Sequence, residues 1–225
     1  MEEKNRKNVR LPLEKINLGD HVCSIYKNKE QQFSSLIPFF KIGLESNQKC
    51  IYIVDENSKE EVFEEFEKRG IEINKFTQSN QFVLLTKRET YLKDGSFDPD
   101  KMINLLKETE KNALNEGYSG MRVTGEMTWV LENVKGSEKV IEYEAKLNVF
   151  FPHSKSTAIC QYNENKFKPE LLIEVIHTHP FLIIYGILYK NLYYYSPAIY
   201  IKGKTNVLLP THSYELIRND IIKEH

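Results

Sequence analysis

The chain has 225 residues, which is enough for one sizeable domain with a complete hydrophobic core and marginal for two. Hydrophobic residues make up 40% and charged residues 28%, a composition typical of globular rather than disordered proteins. Lys and Arg number 31 and Asp and Glu number 32, so the net charge is -1 and gives no support to a nucleic-acid-binding role.

The cysteines and the N-terminal residues favour a reducing, cytoplasmic setting. Cys23, Cys50 and Cys160 are odd in number and far apart, and no CxxC pair is present. Neither a disulfide framework nor a cysteine-based zinc module is therefore expected. Residues 1–10 are strongly charged and lack the apolar stretch of a signal peptide. No apolar run approaches the ~18 residues of a membrane span, so no membrane contact is expected.

Strand-like and helix-like segments alternate along the chain. The first strand, HVCSIY at 21–26, follows the turn signal at 19–20, and a polar loop, KNKEQQ, leads to a helix at 33–47 with Pro38 inside it. Further strands are predicted at 49–56, 82–92, 120–131 and 156–162, with one or two more within 180–195. Further helices are predicted at 58–70, 98–117, 137–154 and 167–180, with a last turn within 213–225.

Two helix starts carry capping residues. Ser58 is followed three residues later by Glu61, which predicts a capping box. Asp98 precedes Pro99, a typical pair for an N-cap and a first helical position, and Gly117 predicts the end of that helix.

The alternation predicts βαβ units with right-handed crossovers. The fold class is therefore α/β, a three-layer α/β/α sandwich with a mostly parallel sheet. Residues 1–18 are polar with a few apolar anchors and are interpreted as an N-terminal arm. Residues 19–200 form the domain, and 201–225 form a C-terminal tail.

The loop after the first strand lacks the residues that hold phosphates. In α/β sheets this loop lies at the carboxyl ends of the strands, where ligands bind. A phosphate-binding loop needs the pattern GxxxxGK[ST], but KNKEQQFSS contains no glycine, and Glu30 would repel a phosphate. GxGxxG is also absent. We therefore expect no nucleotide hydrolysis, no cofactor and no enzymatic activity.

His21 and Cys23 are two positions apart on the first strand and share one of its faces. They are interpreted either as a polar pair lining a pocket or as metal ligands; the alternative is a hydrogen-bonded core histidine beside a small buried cysteine. A closed zinc site needs about four ligands. Cys160, His177 and His179 could join, but sequence spacing does not bring them together, and no metal site is predicted.

A polar face on the strand at 120–131 is the second candidate. Arg122, Thr124 and Glu126 alternate along it, and burying such charges is costly unless they are paired. A ligand pocket and an internal ion pair explain the pattern equally well. Glu126 and Trp129 are the best pocket candidates, an acceptor and an aromatic wall at the carboxyl end of a strand. Glu126 has no apparent nucleophile partner that would make it a general base.

The remaining candidates come from three other elements. Glu144 and Asn148 are four positions apart on one helix face and can reach the strand ends. Tyr162 lies near the carboxyl end of its strand, as does Tyr26 on the first strand. Core packing is the preferred interpretation of Cys160. His179 and Pro180 start a strand at the opposite end, where a structural cap is preferred.

Several motifs in this order resemble one known family. They are GDHVCSIY, CIYIVDE, MRVTGEMTW, YEAKLN, ICQY, HPFLIIYG and NLYYYSP, over about residues 18–197. The chain resembles the MEDS domain, the sensory domain named from methanogens and the methylotroph repressor DcmR. This resemblance implies a RecA/KaiC-like fold without the Walker A loop, in which Glu126 takes the place of the second Walker acid. It also implies sensing of small organic compounds such as hydrocarbon derivatives, often in fusion with kinase, PAS or DNA-binding modules.

The leading hypothesis is a cytoplasmic sensory domain that binds a small, largely apolar organic ligand at the carboxyl ends of the strands. Its signal would pass to a signalling protein partner or through a homodimer. Two alternatives stand beside it. One is a metal- or thiol-based redox sensor that uses His21, Cys23 and Cys160. The other is a pseudo-ATPase that serves as a protein-interaction scaffold.

Overall fold

The structure, a computed structural model, describes residues 9–201 and 213–223. A single sheet of eight strands forms its centre, in the order β1-β8-β7-β2-β6-β5-β3-β4. The strands are β1 (Arg10–Leu11), β2 (His21–Tyr26), β3 (Lys49–Val54), β4 (Phe82–Thr86), β5 (Met121–Glu126), β6 (Ser156–Asn163), β7 (Phe181–Ile184) and β8 (Ile187–Lys190). All neighbours from β7 to β4 pair in parallel, and β8 and β1 add an antiparallel edge. The mostly parallel sheet is thus confirmed.

Helices cover both faces of the sheet. They are α1 (Lys29–Glu45), α2 (Lys59–Lys68), α3 (Ile73–Gln78), α4 (Pro99–Asn115), α5 (Val140–Phe150), α6 (Pro169–Thr178), α7 (Ala198–Ile201) and α8 (Tyr214–Ile222). Short 3-10 turns lie at Leu13–Lys15, Thr128–Glu132, Ser137–Lys139 and Phe151–His153. No helix in the two described segments is long and apolar enough to cross a membrane.

Successive side chains along each strand point to opposite faces of the sheet, and each face has its own hydrophobic core. Val22 and Ile159 face a core built with α1, α2 and α3, and Phe40 and Phe66 lie at its centre. Their strand neighbours belong to a second core built with α4, α5, α6 and α8. The sheet is therefore covered on both sides, and any polar group placed on it is removed from water.

The predicted capping residues act as expected. The Ser58 side chain accepts from the Glu61 N–H, and the Glu61 side chain accepts from the Ser58 N–H, which completes the capping box of α2. Asp98 caps α4, whose first residue is Pro99. Gly117, just beyond α4, has φ +91°, a conformation that glycine adopts without a steric penalty.

The structure differs from the sequence-based prediction mainly at element boundaries. The loop predicted over KNKEQQ is largely helix, because α1 begins at Lys29 with Asn28 as its cap, and Pro38 lies in its interior. The short helix α3 was not predicted. The arm over 1–18 contributes strand β1, which pairs with β8, and the closing region forms two strands. The tail over 201–225 contains α8; residues 1–8, 202–212 and 224–225 lie outside the described residues.

Candidate functional site

The sheet separates the predicted site residues into two groups. Tyr26, Arg122 and Glu126 face the α1 side, where burial, followed by the charge of Glu126, raises the pKa of Tyr26. The other residues belong to the α5 side: His21, Cys23, Trp129, Glu144, Asn148 and Tyr162. The predicted residues therefore lie at two places rather than in one pocket.

Glu126 ends β5 and is completely buried. Its Oε1 accepts hydrogen bonds from the Tyr52 hydroxyl and from Asn57 Nδ2, each at 2.7 Å. Its Oε2 accepts bonds from the backbone N–H groups of Asp55, Glu56 and Asn57. Burial raises the pKa of Glu126, and the bonds from Asn57 and Tyr52 oppose that rise. The carboxylate thus holds the loop after β3 against the end of β5.

Buried amide and hydroxyl groups extend the Glu126 cluster across the sheet. Gln32 Nε2 donates to Gln161 Oε1 at 2.7 Å, and Gln161 Nε2 donates to the Thr124 hydroxyl at 2.9 Å. Asn57 Nδ2 also lies 3.2 Å from Gln32 Oε1. A buried network of this kind stabilises one arrangement of α1, β5 and β6. Gln32 and Asn57 were not predicted as site residues, because Gln32 lies in the segment interpreted as a polar loop and Asn57 lies between a predicted strand and a predicted helix.

Arg122 lies near the amino end of β5, away from Glu126. Its Nε donates to Gln48 Oε1 at 2.6 Å, and its guanidinium lies 4.9 Å from the ring centre of Phe39. Gly43 on α1 leaves the space for this side chain, since a Cβ there would lie 2.7 Å from Arg122 Cδ. These contacts give Arg122 a packing role between α1 and the sheet.

A second polar centre is buried on the α5 side, near the amino ends of β2 and β7. Glu144 Oε2 lies 3.2 Å from Nε2 of His21 and 3.3 Å from Nε2 of His179. Cys160 Sγ lies 3.5 Å from His21 Nε2. The two imidazole rings are 4.1 Å apart. We call these residues, His21, Glu144, Cys160 and His179, the buried centre.

Hydrogen bonds around the buried centre orient both histidines. Asn148 Nδ2 donates to the carbonyl groups of Glu144 and Thr178, so Asn148 Oδ1 is left to accept from His21 Nδ1 at 3.1 Å. His179 Nδ1 donates to the Val175 carbonyl at 2.7 Å. Both rings therefore carry a proton on Nδ1, and the Nε2 atom of each ring faces Glu144 Oε2.

The charges of the buried centre are strongly perturbed. Burial, followed by the charge of His179, lowers the pKa of His21 to about 4. Burial alone would raise the pKa of Glu144, but the facing histidines lower it below its ordinary value, so this carboxylate is ionised. Burial also raises the pKa of Cys160 well above its ordinary value. The Tyr162 hydroxyl donates to Glu144 Oε1 and holds that oxygen in place.

Aromatic rings fill the carboxyl end of β5 on the α5 side. Trp129 stacks on Tyr91 with ring centres 5.0 Å apart and packs against Phe97 at 4.6 Å. Tyr143 contacts both Tyr91 and Phe97 edge-on. A side chain at Gly125 would collide with Tyr91, because a Cβ there would lie 2.0 Å from the Tyr91 hydroxyl. Trp129 is thus part of a packed cluster rather than the wall of a wide pocket.

A surface cleft of about 430 Å³ opens at the amino ends of β2 and β7. His21 and Asn148 form part of its lining, so this cleft ends at the buried centre. The other lining residues are Leu18, Gly19, Asp20, Pro152, Pro180, Phe181 and Tyr194. A much smaller space of about 10 Å³ lies on the other side of Cys160, among Tyr91, Tyr143 and apolar residues.

The connection between β2 and α1 is short and bonded to itself. β2 ends at Tyr26 and α1 begins at Lys29. Between them, the Asn28 side chain accepts from the Gln31 N–H at 3.0 Å, and the Gln31 side chain accepts from the Lys27 N–H at 2.9 Å. A phosphate cradle requires several free backbone N–H groups that point at one ligand. This connection does not have that form.

His179 is the C-terminal cap of α6: its backbone N–H donates to the Ile176 carbonyl and its Nδ1 donates to the Val175 carbonyl, while its Nε2 faces the buried centre. β7 pairs with β2, so the residues before β7 lie beside the first residue of β2. Cys160 is buried, as expected, but its sulfur faces His21. Cys23 is also buried and is not one of the four clustered donors. His177 contacts Tyr195, with ring centres 4.7 Å apart.

Known proteins were compared with this chain by sequence and by structure. The family model for the methanogen/methylotroph, DcmR sensory domain, MEDS, matches residues 20–180. No curated protein matches the sequence. Among solved structures, the KaiC-like protein PH0186 from Pyrococcus horikoshii OT3 is similar, with 12% identity and a TM-score of 0.53 over 74% of this chain and 71% of that one. At this identity the similarity shows the fold alone, and it confirms the predicted RecA/KaiC-like architecture. Because the family match spans most of its length, the chain belongs to the MEDS family of sensory domains.

Proposed function

We propose that this chain is a sensory module that binds a small organic molecule in the cleft at the amino ends of β2 and β7, without hydrolysing nucleotides. One observation carries the proposal: the cleft is lined by His21 and Asn148, which belong to or contact the buried centre. A molecule in the cleft can therefore act on a polar network inside the core. Membership of a sensory family supports the same role.

The lining of the cleft supports a ligand with an apolar body and one polar group. Its volume of about 430 Å³ falls within the ordinary range for small-molecule sites. Leu18, Phe181 and Tyr194 supply apolar surface. Asn148 Oδ1 accepts one bond from His21 and has a second lone pair for a hydroxyl or N–H donor of the ligand.

Two features support the absence of nucleotide hydrolysis. The β2–α1 connection is held by its own hydrogen bonds and lacks the glycines of a phosphate cradle. Glu126, at the position of the second Walker acid, is surrounded by donors from Tyr52 and the loop after β3. The Glu126 carboxylate thus has a structural role: it holds the loop after β3.

Ligand-observed NMR with short-chain alcohols, ketones and chlorinated hydrocarbons tests the proposal. We expect binding that weakens in Tyr194→Ala, which removes an aromatic wall of the cleft. Tyr118→Ala removes a tyrosine outside the cleft lining and should leave binding unchanged. The same preparation should show no turnover of MgATP. Equal loss of binding in both variants, or ATP turnover by the wild-type protein, would contradict the proposal.

The signal leaves the domain through a protein partner or a second copy of the chain. A sensory family supports this step, because binding has an effect only if another surface reads it. Light scattering with and without the ligand compares the two routes. A change of mass on ligand addition favours a homodimer, and an unchanged mass favours a separate partner.

A further inference from the structure

Four donor atoms of three chemical types meet at the buried centre. They are Nε2 of His21 and of His179, a carboxylate oxygen of Glu144 and Sγ of Cys160; all lie within 4.8 Å of one another. Three donor pairs are 3.2, 3.3 and 3.5 Å apart. In a tetrahedral zinc site, bonds of ~2.1 Å to nitrogen and oxygen and ~2.3 Å to sulfur place neighbouring donors ~3.4–3.6 Å apart. The observed pairs are already close to this spacing.

The surroundings orient each donor as in known metal sites. A metal-binding histidine typically donates its other N–H to a carbonyl or carboxylate, which fixes the tautomer. His21 Nδ1 donates to Asn148 Oδ1 at 3.1 Å, and His179 Nδ1 donates to the Val175 carbonyl at 2.7 Å. Glu144 Oε1 accepts from Tyr162, so Glu144 Oε2 is directed at the two Nε2 atoms.

Two of these donors lack a hydrogen bond. Within 9–201 and 213–223, Glu144 Oε2 and His179 Nε2 are buried side-chain atoms with no hydrogen-bond partner. Buried polar atoms are nearly always bonded, and the cost of leaving them unpaired is high. A cation placed between Glu144 Oε2 and the Nε2 atoms of His21 and His179 would bind all three atoms.

We propose that His21, Glu144, Cys160 and His179 bind one divalent transition-metal ion of the zinc class in a tetrahedral site. Nitrogen, oxygen and sulfur donors together suit zinc(II) and its late first-row neighbours. One carboxylate and one thiolate balance the charge of the ion, so the occupied site is neutral and compatible with full burial. The Cys160 thiol loses its proton to solvent when the sulfur–metal bond forms.

This inference goes beyond the proposed function and does not depend on it. The cleft at His21 and Asn148 provides a route for the ion from solvent. No metal site was predicted from the sequence, because spacing alone did not bring His179 and Cys160 to His21. The metal- or thiol-based sensor considered from the sequence used His21, Cys23 and Cys160; His21 and Cys160 are among the four clustered donors, and Cys23 is not.

A buried ion pair is the competing explanation. If His179 is doubly protonated, its Nε2 donates to Glu144 Oε2 and the centre needs no metal. This arrangement stabilises the fold but gives Cys160 no special role. Cobalt(II) distinguishes the two explanations, because a thiolate bound to tetrahedral cobalt gives strong near-ultraviolet charge-transfer absorption together with visible d–d bands.

The experiment begins with chelator-treated, reduced full-length protein, which is titrated with cobalt(II) and then with zinc(II). We expect one cobalt per chain, with thiolate charge-transfer absorption, and displacement of cobalt by zinc. Cys160→Ser should abolish that absorption. Cys23→Ser and Cys50→Ser are matched controls, since both residues are buried free cysteines outside the four donors, and they should retain it.

His179→Gln provides a second readout should Cys160→Ser fail to fold. Glutamine keeps a polar group but lacks the imidazole donor, and zinc affinity in a competition assay should fall at least ~100-fold. The proposal is overturned if the folded wild-type protein binds neither ion at micromolar concentrations. It is equally overturned if the charge-transfer absorption persists in Cys160→Ser or is lost in Cys23→Ser. Small-molecule binding in the cleft is measured separately, so either proposal can fail alone.

Discussion

Replacing Glu126 by glutamine tests whether this residue serves the fold or a ligand. The substitution keeps the shape of the side chain and one of its oxygens. That oxygen can still accept hydrogen bonds from the backbone N–H groups of the loop after β3, as Oε2 does in the wild-type protein. The new amide nitrogen, however, would face the Tyr52 hydroxyl and Asn57 Nδ2, both of which now donate to Oε1.

The size of the effect follows from the bonds that are lost. Each hydrogen bond to a charged group contributes ~1.5–3 kcal/mol. Two are lost at Oε1, and reorientation of the Tyr52 hydroxyl and the Asn57 amide recovers part of the loss. We therefore expect the free energy of unfolding to fall by ~2–4 kcal/mol. Glu126→Ala removes all the acceptors and should cost more.

Urea unfolding followed by tryptophan fluorescence measures this change. The chain has one tryptophan, Trp129, which lies in the packed aromatic cluster and reports loss of tertiary structure. Glu45→Gln is the control, since Glu45 is exposed and 3.9 Å from Lys41, and it should change stability by less than ~0.5 kcal/mol. A Glu126→Gln protein as stable as the control would refute the structural role of Glu126.

Three further predictions concern the α5 side of the sheet. Asn148→Ala should weaken zinc binding ~10–100-fold in a chelator competition assay, because it releases His21 Nδ1; unchanged affinity would exclude an orienting role. The metal-free protein should lose stability as the pH falls from 6.5 to about 4, because the unfolded chain protonates His21 before the folded one does. The loss of stability from His21 is at most ~3 kcal/mol. The lowered pKa of Glu144 extends the loss of stability below pH 4.5. Urea unfolding across this pH range measures the direction of the change, and His21→Gln should give a flatter profile. Gly125→Ala should destabilise by ~1–3 kcal/mol in the same assay, since it displaces the Tyr91 ring; no change would mean that Tyr91 moves freely.

The architecture was predictable because its signals are local. KCIYIV is a nearly continuous apolar run, HVCSIY alternates in the manner of a strand, and later helices carry caps at Ser58 and Asp98. Boundaries were less accurate where local signals conflict with tertiary structure. The first turn of α1 contains Lys29 and Glu30, which read as a loop although Asn28 caps the helix.

The buried centre was only partly predictable because it depends on strand order. His21 and Cys160 are 139 positions apart and meet because β6 pairs with β2. His179 joins them because β7 lies on the other side of β2. His21, Glu144 and Asn148 were each selected from sequence, since polar residues on buried elements are informative one by one. Their partners required the order of the sheet.

The central claim is that the functional centre lies at the amino ends of β2 and β7 rather than at the β2–α1 connection. Amide NMR spectra of the metal-free protein, titrated in parallel with zinc(II) and with MgATP, test it most directly. Zinc should shift the resonances of residues around His21, Asn148 and His179, and MgATP should leave residues 27–31 unchanged. MgATP-dependent shifts at 27–31, with no response to zinc at the buried centre, would contradict the claim.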